Sequence, residues 1–542
     1  MIEQQDISAE ARAFMRALYG ENKQITDGNY DKTLAVKCIN GTFVGKQKDN
    51  VIAYKGIPFV GKQPVGEQRW KAPVDFVPDD GIYEAYYYGK SPYQADGDPC
   101  SLYVMGEDCL YLNVWKSDRA GQCSMVNGQC SMEKRPVMVW IYGGGFETGG
   151  TVDPQYDCYN FITENPDVIV VTVAYRLAAY GFMRLSHLPD GADYPDAQNL
   201  GIMDQMMGLK WVHENIAAFG GDPDNVTIFG ESAGGSSCTL LALVKGSHQY
   251  FKRVITQSGS PAMTRSKDES IVWTNEVMKE LGCKTVADLQ KVEIRKFVDT
   301  ASDELDLRVW AERDGRILPL EPYEAYANGA AKDITFLQGC TKDEMGYFVY
   351  GFGLDEWNQW AAGRKAEKMA LMTTEEKALV ESFCQNAKDV TAEYSATTRW
   401  IDQLVFIAPL FRMSENQTKA GGKSYTYFFT PESSWPLLKS GHAVDLSTVF
   451  NHPEERLVTG RIFNETFSRT LRKMWVQFAK TGNPSLSADQ SPDGKAKEWP
   501  LYDLENKQLM IFDEFNIHPE KESQRKILDW DRTYFLTKYY CI

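Results

Sequence analysis

The feature that most restricts the fold of this sequence is a series of short, β-rich apolar runs separated by helix-like segments. Three of these runs, at residues 137–142, 168–175 and 226–229, are almost entirely apolar. Such runs fit strands that are buried on both faces, as in the centre of a parallel sheet. Between two of them, residues 203–218 carry apolar side chains at helical spacing. This alternation predicts an α/β fold with a mostly parallel central sheet and helices on both of its faces.

Few features divide the chain into parts. We expect a single domain over residues 1–542, with residues 1–40 as an N-terminal extension, because no linker clearly splits it. Two polar segments are predicted to be surface loops. They are residues 121–134, which contain the pentapeptide GQCSM twice, and residues 482–497.

Charge and motif content exclude several classes of function. The chain has 58 Lys and Arg against 74 Asp and Glu, a net charge of −16, which argues against nucleic acid and anionic membranes as partners. No apolar stretch approaches the roughly 20 residues of a membrane span, and the N-terminus lacks the pattern of a signal peptide. The Cys and His residues lack zinc-type spacing and there is no P-loop, so we expect no metal and no cofactor.

The sharpest chemical signal is a Gly-x-Ser-x-Gly motif. Residues 230–234 read GESAG, directly after the apolar run 226–229 and before the helix-compatible residues 235–244. A strand before and a helix after this motif are typical of a nucleophile elbow, whose tight turn exposes the serine, here Ser232. The helix N-terminus that follows favours developing negative charge. The alternative is a structural turn without chemistry.

A second glycine cluster, Gly143, Gly144 and Gly145, follows the run at 137–142. Consecutive glycines allow backbone N–H groups to approach an oxyanion, and in α/β-hydrolases such a loop acts together with the N–H that follows the nucleophile. The pattern therefore predicts Gly144, Gly145 and Ala233 as the oxyanion hole. Without the elbow, a flexible turn would be the simpler interpretation.

The elbow predicts that an acid and then a histidine follow Ser232 in the chain. Three histidines lie well downstream, His442, His452 and His518, and composition alone does not choose among them. Gly441-His442 lies in a polar turn that we expect to be an exposed loop, which suits a base. The acid stays open, because the chain has 74 carboxylates.

Taken together, the motifs resemble those of the type B carboxylesterase / cholinesterase family of α/β-hydrolases, over residues 41 to 502. The matching stretches are GIPF at 56–59, EDCLYLNV at 107–114, FGGDP at 219–223, FGESAGG at 229–235 and QSGS at 257–260. The resemblance implies the α/β-hydrolase fold and a serine carboxylic-ester hydrolase that forms an acyl-enzyme on a Ser-His-Glu triad.

The resemblance also places the remaining site residues. It implies that His442 is the base and that Glu344, within KDEMG at 342–346, is the acid. The family has glycine where this chain has Met345, so Asp343 remains the alternative acid. Ser258 matches a serine that supports the triad. Glu231, beside the nucleophile, either tunes the charge of the site or only packs the turn.

Cysteine positions bear on location. Pro92 stands where secreted members of the family have a cysteine that pairs with the equivalent of Cys109, and residues 288–293, where a partner of Cys283 is expected, contain no cysteine. Together with the absence of a signal peptide, this favours a cytoplasmic location. Cys100 is a second possible partner of Cys109.

Other functions use the same residues. The alternatives to an esterase are an amidase or lipase with this triad, or a catalytically silent binding protein that keeps the fold. We expect a small-molecule ester as substrate. Several aromatic residues suggest either an apolar gorge or ordinary core packing: Trp357, Trp360, Phe428, Phe429 and Trp435.

Overall fold

The computed structural model describes residues 9–95, 102–119, 123–126, 129–132, 134–303, 309–387, 390–391, 393–452 and 458–522. Two compact units divide the chain. The N-terminal unit consists of Ser8–Arg253 and Thr264–Leu320. The C-terminal unit consists of Val254–Met263 and the described residues from Glu321 onward. The prediction of a single domain over residues 1–542 stays a prediction.

The strands of the described residues, in chain order, are β1 (Ala35–Cys38), β2 (Asn40–Val44), β3 (Lys46–Lys48), β4 (Val51–Pro58), β5 (Asp79–Glu84), β6 (Tyr111–Ser117), β7 (Cys123–Val126), β8 (Gln129–Met132), β9 (Arg135–Ile141), β10 (Ile169–Val173), β11 (Gly221–Glu231), β12 (Arg253–Gln257), β13 (Thr264–Arg265), β14 (Ala311–Glu312), β15 (Thr335–Thr341), β16 (Lys423–Phe429), β17 (Gln508–Asp513) and β18 (Asn516–Lys521).

The α-helices of the described residues are α1 (Ala9–Leu18), α2 (Tyr159–Glu164), α3 (Ala178–Phe182), α4 (Leu200–Asn215), α5 (Ala233–Leu241), α6 (Lys267–Glu280), α7 (Val286–Leu289), α8 (Ile294–Asp303), α9 (Pro322–Ala327), α10 (Gly346–Phe352), α11 (Leu354–Ala370), α12 (Thr374–Asn386), α13 (Ala396–Asp402), α14 (Ala408–Lys419), α15 (Leu446–Val449) and α16 (Glu465–Thr481). A π-helical turn, Gln403–Ile407, joins α13 to α14.

The N-terminal unit is built on a mixed sheet in the order β11-β9-β10-β6-β4-β3. The first three strands are parallel, and β6, β4 and β3 extend the sheet in antiparallel fashion. Val137 of β9 pairs with Ile169 of β10 on one side and with Val226 of β11 on the other. The three apolar runs are thus buried central strands, as the sequence predicts.

The helix predicted over residues 203–218 is α4, which begins three residues earlier and ends at Asn215. A 3-10 turn, Ile216–Phe219, completes it. Gly220 then terminates the turn in the left-handed conformation, with φ 85°. The helix predicted over residues 235–244 is α5, which begins at Ala233 within the GESAG motif and ends at Leu241. It packs against β11 and β9.

The C-terminal unit carries β15, β16 and β17 as parallel neighbours, with β18 antiparallel to β17. Strand β12 lies beside β15, and the N–H of Ser258 donates to the carbonyl of Gly339 at 2.8 Å. Alternation along β16 directs neighbouring side chains to opposite faces. Phe428 joins a core cluster with Phe411 of α14, whereas Tyr427 packs against Trp475 of α16 at a ring distance of 5.2 Å. Helices therefore cover both faces of this sheet.

One predicted loop is wrong. Residues 121–134 contain the antiparallel hairpin of β7 and β8, in which Cys123 pairs with Met132 and Met125 with Cys130. The polarity of the segment favours a loop, but Cys and Met alternate with polar residues in both copies of the repeat, as in a strand, and each copy supplies most of one strand of the hairpin. Residues 482–497 are turns with a single bridge, Leu486 to Lys497, as expected for a loop.

Candidate active site

Ser232 occupies the junction between β11 and α5. Its backbone has φ 55° and ψ −126°, a strained conformation of the kind found where a functional side chain is presented on a sharp turn. Both flanking glycines are required by close approach. A Cβ on Gly230 would lie 2.4 Å from the carbonyl carbon of Gly234, and a Cβ on Gly234 would lie 2.0 Å from the carbonyl oxygen of Ile141. The motif therefore allows the elbow to pack directly on the end of β9.

The glycine loop that follows β9 touches the elbow. A Cβ on Gly143 would lie 2.7 Å from the carbonyl oxygen of Glu231 and 3.0 Å from the Cβ of Ser232. Gly144 and Gly145 have φ of 105° and 65°, values that side chains disfavour. The carbonyl of Gly144 accepts hydrogen bonds of 2.9 Å from the N–H groups of Glu147 and Thr148, which fixes this peptide in place.

Ala233 is the first residue of α5 and is fully buried. The first N–H groups of a helix have no acceptor within the helix, so the N–H of Ala233 suits an external acceptor. Glu231 is also buried, and its carboxylate packs against the position where a Gly143 side chain would begin, with Oε2 at 3.0 Å. The predicted residues Gly144, Gly145, Glu231, Ser232 and Ala233 all lie in the N-terminal unit.

A pair of stacked tyrosines holds the start of the glycine loop. The rings of Tyr142 and Tyr175 lie 4.5 Å apart, the Tyr142 hydroxyl donates to the carbonyl of Tyr175 at 3.1 Å, and the Tyr175 hydroxyl donates to the carbonyl of Tyr142 at 2.8 Å. Burial raises the pKa of both phenols well above 10. Nothing in the sequence indicates this pairing, because the two residues follow different strands, β9 and β10.

Glu344 and His442 lie together in the C-terminal unit. Glu344 is fully buried in the turn between β15 and α10. Its Oε1 accepts hydrogen bonds from the Ser258 hydroxyl at 2.6 Å and from the N–H of Thr341 at 2.7 Å. Its Oε2 lies 2.5 Å from Nδ1 of His442. The backbone N–H of His442 also donates to the backbone carbonyl of Glu344 at 3.1 Å.

The neighbouring carboxylate, Asp343, has different partners. It is fully buried, and its Oδ1 lies 2.5 Å from the guanidinium of Arg399. The geometry therefore favours Glu344 over Asp343 as the partner of His442. The departure at Met345 has a simple explanation, because this residue has φ −67° and ψ −11° and its backbone does not need glycine.

The environment of His442 differs from the prediction. The sequence predicted an exposed loop, but His442 is only 5% exposed. Three aromatic rings cover it: Phe406, Phe348 and Tyr347, with centroids 4.8, 5.9 and 6.2 Å from the imidazole. Phe406 lies on the π-helical turn Gln403–Ile407, a type of distortion that is frequent at functional sites. The prediction was wrong because these rings come from segments distant in sequence.

A buried carboxylate lies one turn beyond His442. Asp445 accepts a hydrogen bond of 2.8 Å from the side-chain amide of Gln257. Burial raises the pKa of Asp445 to about 6.

Of the aromatic residues named above, Trp357, Phe428 and Phe429 are buried, whereas Trp435 is 41% exposed.

Further features bear on cofactors and location. Within the described ranges, no His, Cys, Asp and Glu side chains form a group of three that could hold a metal ion. No helix among these residues has the length and apolarity that crossing a bilayer requires. Cys109 and Cys283 are free thiols. Cys100, the possible partner of Cys109 named above, lies outside the described residues.

Comparisons with known proteins agree with this architecture. The model of the Carboxylesterase family matches residues 32–527. The para-nitrobenzyl esterase of Bacillus subtilis (strain 168) is 32% identical over 507 residues, which cover 90% of this chain and 96% of the relative. A cholinesterase of Mus musculus is 29% identical over 522 residues, 89% of this chain and 82% of the relative.

Solved structures extend the likeness to three dimensions. A crystal structure of a carboxylesterase from Geobacillus stearothermophilus has a TM-score of 0.77 and 30% identity, and the match covers 91% of this chain and 99% of the other. A thermophilic para-nitrobenzyl esterase has a TM-score of 0.78 and 31% identity, covering 92% of this chain and 100% of the other. The predicted α/β fold is confirmed. The chain belongs to the Carboxylesterase family of α/β-hydrolases.

Proposed function

We propose that this chain is a serine carboxylic-ester hydrolase that acts through an acyl-enzyme, with Ser232 as nucleophile, His442 as base and Glu344 as acid. The observation that carries the proposal is the pair formed by His442 and Glu344, with Nδ1 and Oε2 at 2.5 Å. Membership of the Carboxylesterase family and the strained elbow at Ser232 support it.

The hydrogen bonds of Glu344 explain why this pair suits a base. Oε1 receives two donors, the hydroxyl of Ser258 and the N–H of Thr341. Oε2 is then left to accept the Nδ1–H of His442. This arrangement selects the tautomer in which Nε2 carries the lone pair that removes a proton.

The reaction follows from these roles. Oγ of Ser232 bonds to the ester carbonyl carbon while His442 takes the hydroxyl proton, and the N–H groups of Gly144, Gly145 and Ala233 stabilise the resulting oxyanion. The bond to the alcohol oxygen then breaks, and the imidazolium returns its proton to the departing alcohol. Water, deprotonated by His442, attacks the acyl-enzyme. The bond between the acyl carbon and Oγ of Ser232 then breaks, the imidazolium returns the proton to Oγ, and the acid is released.

The substrate in this proposal is a small-molecule ester, and the compartment is the cytoplasm. The compartment rests on Cys109 and Cys283, which are free thiols here, whereas the corresponding cysteines of secreted members are expected to be paired. Neither a nucleic acid nor a membrane is part of the proposal, because the net charge is −16.

Hydrolysis of p-nitrophenyl acetate, butyrate and octanoate by the wild type and by Ser232→Ala tests the function. Activity should fall by at least ~10⁴-fold in the variant. Ser487→Ala, which changes an exposed serine, is the matched control and should leave kcat unchanged. A folded wild type without activity on any ester would favour a binding protein, and faster hydrolysis of p-nitroacetanilide than of the acetate ester would favour an amidase.

A further inference from the structure

A buried cluster of ionisable side chains lies beside Glu344 and has no role in the chemistry proposed above. It consists of Asp343, Arg399 and Asp402, with Tyr394 at its edge. Arg399 Nη1 lies 2.5 Å from Oδ1 of Asp343 and 3.7 Å from Oδ2 of Asp402. The hydroxyl of Tyr394 donates to the same oxygen of Asp402 at 2.6 Å, and the guanidinium stacks over its ring at 4.1 Å.

Such a cluster is expensive to bury. The side chains of Asp343 and Asp402 are less than 2% exposed, and both carboxylates share the guanidinium of Arg399. Burial, which outweighs the attraction of Arg399, raises the pKa of Asp402 to about 8. Apolar residues of similar volume often stabilise a core as well as a buried ion pair does. A cluster of this kind therefore invites an explanation beyond stability.

Asp402 holds the peptide that follows the proposed acid. Its Oδ1 accepts a hydrogen bond of 2.8 Å from the N–H of Met345, which directly follows Glu344 in the chain. The same turn bonds to itself, because the N–H of Gly346 donates to the carbonyl of Asp343 at 2.7 Å. The carboxylate of Asp402 is thus the side chain that fixes the C-terminal side of Glu344.

Asp343 holds the loop of the proposed base. Its N–H donates to the carbonyl of Ser440 at 3.0 Å, and its Oδ2 accepts from the N–H of Ser440 at 3.3 Å. Ser440 lies two residues before His442, and its hydroxyl donates to the carbonyl of Phe429 at 3.0 Å. The guanidinium of Arg399 therefore joins one carboxylate that holds the acid turn to another that holds the base loop.

We propose that Asp343, Arg399 and Asp402 are positioning residues that set the distance between His442 and Glu344 by tying the base loop to the acid turn. The inference rests on the proposed function, since it assigns roles to that pair. None of the three residues needs to touch substrate. Misplacement of catalytic groups by about 1 Å can cost ~10²-fold in rate, so a modest loosening of this link should be measurable.

The test compares Arg399→Met, which removes the guanidinium, with Arg399→Lys, which keeps the charge. Arg364→Met is the matched control, because Arg364 forms an ion pair with Glu367 elsewhere in the C-terminal unit. kcat is expressed per active site titrated by the acylation burst, so that a lower folded fraction does not lower it. We expect kcat to fall ~10- to 100-fold in Arg399→Met with KM within about twofold. Arg399→Lys should recover part of the loss, and Arg364→Met should match the wild type.

Two results overturn the inference. One is a folded Arg399→Met with wild-type kcat per site. The other is a rise in KM at constant kcat, which would indicate a binding role. If Arg399→Met does not fold, Tyr394→Phe tests the inference instead, because it removes only the hydrogen bond to Asp402. This variant should lower kcat about threefold or more at unchanged KM. Unchanged kcat in this variant would then overturn the inference.

Failure of the proposed function has a different signature. Either the folded wild type would then hydrolyse no ester, or Ser232→Ala would retain activity, whatever the Arg399 variants do. If Ser232→Ala is inactive while the Arg399 and Tyr394 variants behave like the wild type, only the positioning role is wrong.

Discussion

Replacing Glu344 by Gln gives the most informative single substitution, because the two carboxylate oxygens have different partners. Oε1 accepts from the N–H of Thr341 at 2.7 Å, and a backbone N–H can only donate. The hydroxyl of Ser258 points to the same oxygen at 2.6 Å. The amide oxygen of the variant must therefore take the position of Oε1. The amide NH₂ then takes the position of Oε2, 2.5 Å from Nδ1 of His442.

The NH₂ group donates to Nδ1, which must then be unprotonated. The neutral imidazole of His442 consequently carries its proton on Nε2 and cannot accept one from Ser232. The equivalent carboxylate-to-amide change in a serine protease lowers kcat by about 10⁴, close to 5 kcal/mol in the barrier, while leaving the geometry intact. We expect a loss of the same order in Glu344→Gln.

The assay is kcat for p-nitrophenyl butyrate, with circular dichroism as the folding control. Asp343→Asn is the matched variant, since it makes the same chemical change one residue earlier. Asp343 contacts Arg399 rather than His442, so its loss should not exceed ~10²-fold. If Glu344→Gln retained kcat within tenfold while Asp343→Asn lost ~10⁴-fold, the acid would be Asp343 and the reasoning above would be wrong.

Three further predictions concern the oxyanion loop, the support of Glu344 and the dependence of stability on pH. In Gly144→Ala the new Cβ would lie 2.3 Å from the carbonyl oxygen of Thr148, on a residue with φ 105°, so the loop must shift. We expect kcat to fall at least ~10²-fold in steady-state kinetics. A kcat near the wild-type value would exclude a role of this loop in the oxyanion hole. Ser258→Ala removes a 2.6 Å hydrogen bond to the buried Glu344, and urea unfolding should show a loss of ~1.5–3 kcal/mol in the free energy of unfolding; an unchanged midpoint would contradict this. The pKa of Asp402 is raised to about 8, so the folded chain holds a proton that the unfolded chain releases above pH ~4. The free energy of unfolding should therefore fall as the pH rises from ~4 to 8. Thermal unfolding should show a weaker fall in Asp402→Asn than in the wild type.

The parts of the fold that sequence reasoning predicted are those that local rules determine. Strands β9, β10 and β11 are apolar on both faces, and a strand with that pattern has few alternatives to the centre of a parallel sheet. The elbow was predictable because the apolar strand, the Gly-x-Ser-x-Gly motif and the helix follow one another directly in the sequence. The roles of Ser232, Gly144, Gly145 and Ala233 stay predictions until they are measured.

Other features depend on partners distant in sequence and were not predictable. His442 was expected in an exposed loop, but Phe406 and Phe348 bury it, and no local pattern identifies them as its neighbours. The choice between Asp343 and Glu344 is similar, because two adjacent carboxylates can be distinguished only by their contacts in the fold. Asp343 contacts Arg399, whereas Glu344 contacts His442.

The missed hairpin of β7 and β8 is a different case. Asn-Gly, at residues 127–128, is the preferred pair for a two-residue hairpin turn, and its glycine begins the second copy of the repeat. That signal was available in the sequence. Cys and Met also alternate with polar residues on both sides of this pair, which is a second signal for a hairpin, whereas the overall polarity of the segment favours a loop.

Labelling with a phosphonylating ester analogue identifies the nucleophile itself, because the residue that it modifies can be located in the chain. Such a probe reacts with an activated nucleophile and forms a stable adduct, so the intact mass gives the stoichiometry and peptide mapping gives the position. We expect one adduct per chain, on Ser232, with loss of esterase activity in proportion to labelling and no adduct in Ser232→Ala. Stoichiometric labelling of another residue, or full activity in a chain labelled on Ser232, would contradict it.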